Sequence, residues 1–338
     1  MKPIFSFLKD ISLMPTKNSQ RTRRDAIYAT LTTALLLAPF IASPQQAVAQ
    51  TPIQLELDPS KNWVNAMKTA MPPIPAFPAL AAKPGTVRGY VKDIKGKPLK
   101  NAHLGIRSSV VGGRYSGAQG KTDEKGYYEI RVPVGAAHFY NAGYTINYGE
   151  GRAALGLHPA DGQLDSFASQ KGSIENFVAL PYGITDRDRV QDQPHYSGNY
   201  YGGYLHLDWT LADENPFWAQ PGDIPANAEI VITLTPQASI YGGLPGRQIV
   251  IRKKIGNSAL SLAAVNLPVS TYKLSAKLAD GTALKLKETG PYSSSPFGIE
   301  PKEGRGVVNL QFRPNTAQAN MAGAGQGSWD TVSVKLSR

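Results

Sequence analysis

Short apolar segments that alternate with polar residues, each closed by a turn, constrain this chain more than any other feature. Residues 127–132 (YYEIRV) alternate and are followed by Pro133 and Gly135, and residues 229–236 (EIVITLTP) form a similar run. Two-residue alternation is typical of a half-buried β-strand, whereas 33 Gly and 26 Pro disfavour long helices. The sequence therefore predicts an all-β protein built from short strands and many turns.

A first β-sandwich is predicted over residues 86–160. Strands are expected at residues 87–92, 102–106 and 127–132, and polar turns that contain Asp and Gly lie between them at 93–99 and 122–126. Strands that recur at roughly ten-residue spacing with turns between them favour a sandwich over a parallel sheet.

Two blocks of this region carry a resemblance to a known family. They are G-Y-V-K-D-I-K-G-K-P-L-K-N-A-H-L at 89–104 and K-T-D-E-K-G-Y-Y-E-I-R-V-P-V-G at 121–135. Together they resemble a carboxypeptidase regulatory-like domain, which has a transthyretin-like β-sandwich grouped with carbohydrate-binding-like folds. The resemblance covers about residues 85–160, under a quarter of the chain. It implies a fold but no single function, because such domains are appended to surface proteins, transporters and enzymes.

A second sandwich, of Ig-like or transthyretin-like type, is predicted over residues 226–338. Its hairpin signal is Asp280-Gly281, a pair that readily adopts a primed turn. The expected strands are 229–236, 248–252, 271–278, 283–287, 307–312 and 331–336.

Residues 1–49 have the three parts of a cleaved export signal. Basic residues come first, an apolar centre runs over 31–40, and Ala47-Val48-Ala49 offers a small-x-small cleavage site before Gln50. An uncleaved membrane anchor is the alternative, although the apolar part is short and contains Pro39. Arg23-Arg24 partly resembles a twin-arginine signal, so the export route stays open between that pathway and general secretion.

The rest of the chain is expected to meet a membrane only during export. No later stretch reaches 18 apolar residues. Residues 50–85 are interpreted as an N-terminal segment that ends in a stiff Pro-rich linker at 72–85. The predicted location is periplasmic, cell-surface or secreted.

Charge and cysteine content exclude several functions. The net charge is +11, and six basic and two acidic residues in 1–49 leave +7 for the remainder. The one dense basic cluster, Arg247 with 252–254, alternates like a strand edge, so we expect no nucleic acid partner but weak attraction to acidic polymers or to an anionic surface. Without cysteine there is no disulfide, thiolate metal site or cysteine nucleophile.

The sequence predicts neither a metal site nor a cofactor. None of the five histidines, at 103, 138, 158, 195 and 206, has the Glu three residues away that the zinc site of metallocarboxypeptidases requires. Alternate carboxylates at Asp186, Asp188 and Asp192 could converge on Ca²⁺, but the neighbouring arginines favour a solvated loop.

Aromatic residues concentrate in the connector predicted at residues 161–225. Flat rings with polar groups can cover the apolar face of a sugar, which makes this stretch the candidate ligand-binding site. The alternative is that the same rings pack a junction between the sandwiches. The candidates are Tyr196, Tyr200, Tyr201, Tyr204, Trp209 and Trp218.

Three functional hypotheses follow. The first is an exported, non-catalytic binding or structural protein of the cell envelope or extracellular space whose ligand is a polysaccharide. The second is an adhesion or assembly subunit that contacts an envelope protein through an exposed strand edge or the aromatic stretch. The third is an enzyme with a scattered site of His195, His206 and Asp208. The oligomeric state is left open.

Overall fold

The structure is a computed structural model that describes residues 50–110, 113–213, 215, 217–256 and 260–338. The predicted export signal, with Ala49 at its cleavage site, lies outside these residues and stays a prediction. Gln50 is exposed. None of the helices in the described residues has the length and apolar character needed to cross a membrane.

Nearly all of the regular secondary structure in the described residues is β-strand. Two strands lie near the start, β1 (Ile53–Leu57) and β2 (Trp63–Asn65). Ten more follow the Pro-rich segment: β3 (Thr86–Asp93), β4 (His103–Val110), β5 (Arg114–Lys121), β6 (Tyr127–Arg131), β7 (Ala136–Tyr148), β8 (Gly151–Gly156), β9 (His158–Pro159), β10 (Phe167–Ala168), β11 (Ser173–Ile174) and β12 (Phe177–Ala179).

The second half begins with the short helix α1 (Arg187–Asp192), a 3-10 turn (Ser197–Asn199) and β13 (Gly203–Trp209). A second 3-10 turn, Ala319–Met321, precedes β23. The remaining strands are β14 (Glu229–Pro236), β15 (Ile249–Lys254), β16 (Ser261–Leu267), β17 (Tyr272–Leu278), β18 (Lys285–Glu288), β19 (Gly298–Glu300), β20 (Glu303–Arg305), β21 (Val307–Gln311), β22 (Arg313–Pro314), β23 (Trp329–Asp330) and β24 (Val332–Ser337).

The first sandwich consists of two five-stranded sheets. One has the order β10-β7-β4-β5, with β8 also paired to β7, and we call it the β4–β7 sheet. The other contains β11, β3, β12 and β9, with β6 on the far side of β3. Leu104 and Ile106 of one sheet and Val91 and Phe177 of the other are fully buried in one hydrophobic cluster. This shared core is what makes the two sheets a sandwich.

The second sandwich has two six-stranded sheets, in the orders β1-β15-β14-β17-β21-β19 and β2-β16-β13-β24-β18-β20. Strands β1 and β2 come from the predicted N-terminal segment and β13 from the predicted connector, so both segments supply strands to this sandwich. The strands of the first sandwich fall between β2 and β13 in the sequence. The domain boundaries themselves stay a prediction.

Lys253 joins the N-terminal segment to the second sandwich. Its side chain is fully buried, and its ammonium group donates to the carbonyl oxygens of Asp58 and Pro59 at 2.9 and 2.8 Å. Burial lowers the pKa of Lys253, while the charge of Asp58 acts in the opposite direction. The basic cluster seen in the sequence is therefore partly structural.

The two sandwiches share a continuous core. Buried Tyr148 of β7 donates its hydroxyl hydrogen to Ser270 O at 3.0 Å and accepts from the Phe312 amide at 2.8 Å. Phe312 packs directly over Gly203, where a Cβ atom would lie only 2.3 Å from its ring. Any larger residue at 203 would separate the β13 backbone from this ring.

Residues 315–328, which we call the covering segment, lie along the β8 edge of the β4–β7 sheet. The Ala154 amide donates to Thr316 O at 2.9 Å, and the Gly156 amide donates to Ser328 Oγ at 2.6 Å. The covering segment therefore satisfies backbone groups that a strand edge would otherwise expose.

The prediction of an all-β fold with two β-sandwiches is confirmed. Strand β5 was missed because six of its eight residues are exposed and it alternates no apolar side chains.

Candidate functional site

Three of the six aromatic candidates are buried and are corrected from ligand-binding residues to packing residues. The exposed fractions of Tyr200, Tyr201 and Trp209 are 0%, 3% and 3%. A ring without an accessible face cannot stack on a sugar, so the six residues do not form a single binding surface. Burial of these three rings is favoured over exposure because aromatic side chains remove a large apolar area from water.

Hydrogen bonds hold two of these rings in place. Tyr200 donates its hydroxyl hydrogen to Pro194 O at 2.6 Å, and burial raises its pKa to about 12. The hydroxyl of Tyr201 lies 3.0 Å from His158 Nδ1, and its carbonyl accepts from Trp329 Nε1 at 2.9 Å. Tyr201 therefore links the first sandwich to the strand that follows the covering segment.

The other three candidates are more accessible. Tyr196 and Trp218 are 55% and 61% exposed, and Tyr204 is half-buried, which raises its pKa. Trp218 packs edge-on against exposed Phe217, with ring centroids 4.9 Å apart. Ligand binding by these three residues stays a prediction.

The residues of the hypothetical enzyme site are not joined. Within the described ranges, no hydrogen bond connects the side chains of His195, His206 and Asp208. His195 is exposed, whereas His206 is half-buried on β13, and burial lowers its pKa against the opposing effect of the Asp208 charge.

The acidic loop that begins at Asp186 stabilises the start of α1. Asp186 caps α1, accepting from the amides of Asp188 and Arg189 at 2.9 and 3.4 Å. Across the part of the chain that the structure describes, no three His, Asp or Glu side chains are grouped as metal ligands.

The outward face of the β4–β7 sheet holds a set of residues that the sequence did not indicate. The guanidinium carbon of Arg107 lies 5.8 Å from the Tyr115 ring centroid and 5.4 Å from that of Tyr140. Gln119 Nε2 donates to the Tyr140 hydroxyl at 2.6 Å. Tyr115 is 67% exposed, so the face is accessible. The sequence contains these Tyr and Arg residues, but they can be recognised as neighbours only when the register of the paired strands is known.

The free side of β5 borders this face and is the candidate functional site. Strand β5 pairs with β4 without a bulge, from His103 opposite Lys121 to Val110 opposite Arg114. Among the described residues, β5 has no strand partner on its other side. A regular eight-residue edge exposes a row of backbone donors and acceptors suited to another strand.

No family model matches the sequence, and no curated protein matches it. Among solved structures, the TIE protein of Bacillus anthracis is similar over 75% of this chain at 16% identity and a TM-score of 0.26, and the match covers 34% of that protein's chain. A streptococcal ancillary pilin is similar over 75% of this chain and 62% of its own, at 11% identity and a TM-score of 0.19.

The shaft pilin of Lactobacillus rhamnosus GG is similar over 75% of this chain and 98% of its own, at 9% identity and a TM-score of 0.19. These identities and TM-scores are too low to carry an argument about function. The functional conclusion therefore depends on the sequence and geometry of this chain.

Proposed function

We propose that this protein is an exported, non-catalytic structural or assembly protein of the cell envelope that accepts an extended segment of another protein along β5. The observation that carries the proposal is the open edge of β5, an unbulged eight-residue strand without proline. Natural sheets usually protect such an edge with proline, a bulge, a covering segment or charged side chains, and β5 carries only charges, at its two ends. Its uncharged middle suits strand addition, in which main-chain hydrogen bonds supply the affinity.

Charge indicates what the added strand is. Arg114 and Lys121 lie at the two ends of β5, and Arg107 lies on the adjoining face. A second copy paired antiparallel across a two-fold axis would bring Arg114 of one strand opposite Lys121 of the other, and like charges in that position are destabilising. A segment of a different protein that carries carboxylates fits better.

Two further features support an exported modular protein. Residues 1–49 have the pattern of a cleaved export signal. The two blocks that resemble a carboxypeptidase regulatory-like domain coincide with β3 to β4 and with the end of β5 to β6, so we propose that this sandwich is such a module. Saccharide binding by the aromatic stretch receives less support, because half of its rings are buried.

The lack of cysteine allows a site-specific test. A photo-crosslinker attached to Ser116→Cys on β5 should join the full-length chain to one envelope protein in the producing cells, at a peptide rich in Asp or Glu. The backbone amides of β5 should exchange hydrogen more slowly in that product than in the free chain, because an added strand occupies them.

The matched control is Lys277→Cys, an exposed position on the central strand β17. This variant should not form the product. The same product from Lys277→Cys, or β5 amides that exchange equally fast in the product and the free chain, would reject strand addition at β5.

A further inference from the structure

A polar cleft opens where the covering segment meets the first sandwich. Its volume is about 530 Å³, within the ~300–1,000 Å³ range common for small-ligand sites. One wall comes from the ends of β4 and β5, a second from β7 and β8, and a third from the Ala319–Met321 turn. The cleft thus exists only where the two parts of the fold are docked.

The charged lining is entirely basic. Lys100, Lys121 and Arg152 line the cleft together with His103, and no carboxylate lies among the lining residues. Within the described residues, neither Lys121 nor Arg152 forms an ion pair. Lys100 contacts Glu124 at 2.5 Å, but Glu124 is 76% exposed, and such surface pairs contribute little. At least two cations are therefore available to a bound anion.

A hydrogen-bond network fixes the base of the cleft. Asn141 donates from its amide nitrogen to the carbonyl oxygens of Ala319 and Ala322, so its Oδ1 faces His103 Nδ1 at 2.7 Å. Nδ1 of His103 therefore carries a hydrogen, and Nε2 remains outside this bond. The same network ties the covering segment to the sheet at the base of the cleft.

Uncharged groups with hydrogen-bonding capacity complete the lining. The amides of Asn101 and Asn320 and the hydroxyl of Thr145, which donates to Ala317 O at 3.2 Å, belong to residues that line the cleft beside the basic ones. Amides and hydroxyls complement sugar hydroxyls, whereas Lys and Arg complement a carboxylate. Neither type of group alone would select a charged sugar.

We infer that this cleft binds an acidic saccharide, holding a sugar carboxylate with Lys121 and Arg152 and sugar hydroxyls with the surrounding amides and hydroxyls. The inference shares Lys121 with the β5 edge but does not require strand addition, because the other residues that it uses, Arg152 and Asn320, lie outside that strand. Binding weakens as salt is added, since part of the affinity is electrostatic.

The test is isothermal titration calorimetry of the full chain with a short oligogalacturonate. Replacing Lys121 and Arg152 together by Gln should weaken binding at least about tenfold, because both charge-assisted contacts are lost. Asn320→Asp, which adds a carboxylate from the covering segment, should also weaken binding. The control pair is Lys277→Gln with Lys335→Gln, two exposed lysines of the second sandwich, and should bind within about twofold of the parent.

Two further ligands test whether the site requires both a sugar and a negative charge. A neutral oligosaccharide of equal length and inorganic phosphate should each bind at least about tenfold more weakly than the oligogalacturonate. Equal binding of phosphate, equal loss in the control pair, or no oligogalacturonate binding by a folded parent chain would overturn the inference.

Discussion

The β4–β7 sheet has two edges that the chain treats differently. The β8 edge is covered by residues 315–328, which accept hydrogen bonds from Ala154 and Gly156. The β5 edge has equally regular pairing on its inner side but no strand on its outer side in the described structure. Both edges belong to one sheet, so the fold class does not explain the difference. The difference is that another part of the chain covers one edge and not the other.

The covered edge contributes to stability, whereas the open edge is available for interaction. At the covered edge, close packing and hydrogen bonds contribute to the free energy of folding, so substitutions there should be costly. At the open edge the same backbone groups bind water, and exposed side chains contribute little to stability. A protein that left both edges open would be at risk of self-association.

The largest expected effect is at Trp329, which follows the covering segment. Its side chain is 2% exposed, and its ring packs edge-on against Tyr148 with centroids 5.0 Å apart. Trp329→Ala should lower the free energy of unfolding by about 3–5 kcal/mol, measured by urea denaturation. Trp218→Ala removes the same side chain from an exposed position and should change stability by less than about 0.5 kcal/mol. Equal losses would refute the assigned role of Trp329.

Glycine-to-alanine substitutions compare the two edges more directly. A Cβ atom at Gly143, under the covering segment, would lie 2.1 Å from Ala319 O, whereas one at Gly117 on β5 would meet only Ile106 O at 3.7 Å. Gly143→Ala should therefore cost about 1–3 kcal/mol through overpacking. Gly117→Ala should be neutral or slightly stabilising, by up to about 1 kcal/mol. Thermal unfolding of the two variants would contradict this view if their midpoints shifted alike.

The third expected effect is a pH dependence at His158 on β9, the strand that follows the covered β8 edge in the chain. His158 contacts Tyr201, and burial lowers its pKa to about 4, against the opposing effect of the Asp161 charge. The unfolded chain then binds more protons than the folded chain between pH 4 and the ordinary value of 6.5. The stability that neutral His158 contributes is present above pH 6.5 and is lost as pH falls toward the folded-state pKa of about 4.

The pKa shift of Glu175 changes stability with pH in the opposite direction, so Glu175 must be replaced before the effect of His158 is measured. Burial first, then the charges of Asp161 and Asp165, raise its pKa from 4.5 to about 8, so its contribution is lost as pH rises through that window. Urea denaturation between pH 4 and 7 should be compared in Glu175→Gln and in Glu175→Gln with His158→Gln. The second variant should have the shallower slope; identical slopes would exclude His158 as the cause.

Much of the fold could be predicted because buried strands have a recognisable pattern. Strands β3, β6, β14 and β17 alternate apolar residues toward one core. Strand β5 could not be predicted, because its outer position leaves its side chains in water and removes the alternation. The aromatic stretch was only partly interpretable, since Tyr200 and Trp209 become core residues through contacts that sequence spacing does not encode.

The candidate sites could not be predicted from the sequence, for a related reason. Arg107, Tyr115 and Tyr140 are separated along the chain and meet only through strand register. Lys121, Arg152 and Asn320 meet only after residues from the second half of the chain dock on the first sandwich. Residue type suggested what each side chain could bind, but not which of them share a cleft.

The sequence by itself determined that the region after residue 49 is β-rich, because alternation and turn residues act locally within a few residues. It also determined the pattern of residues 1–49 and the absence of cysteine chemistry. Only the tertiary structure decided which strands become edges, which rings are buried and which cations face an open cleft. Those outcomes depend on contacts between residues more than a hundred positions apart, such as Asn141 with Ala322, and no local pattern specifies them.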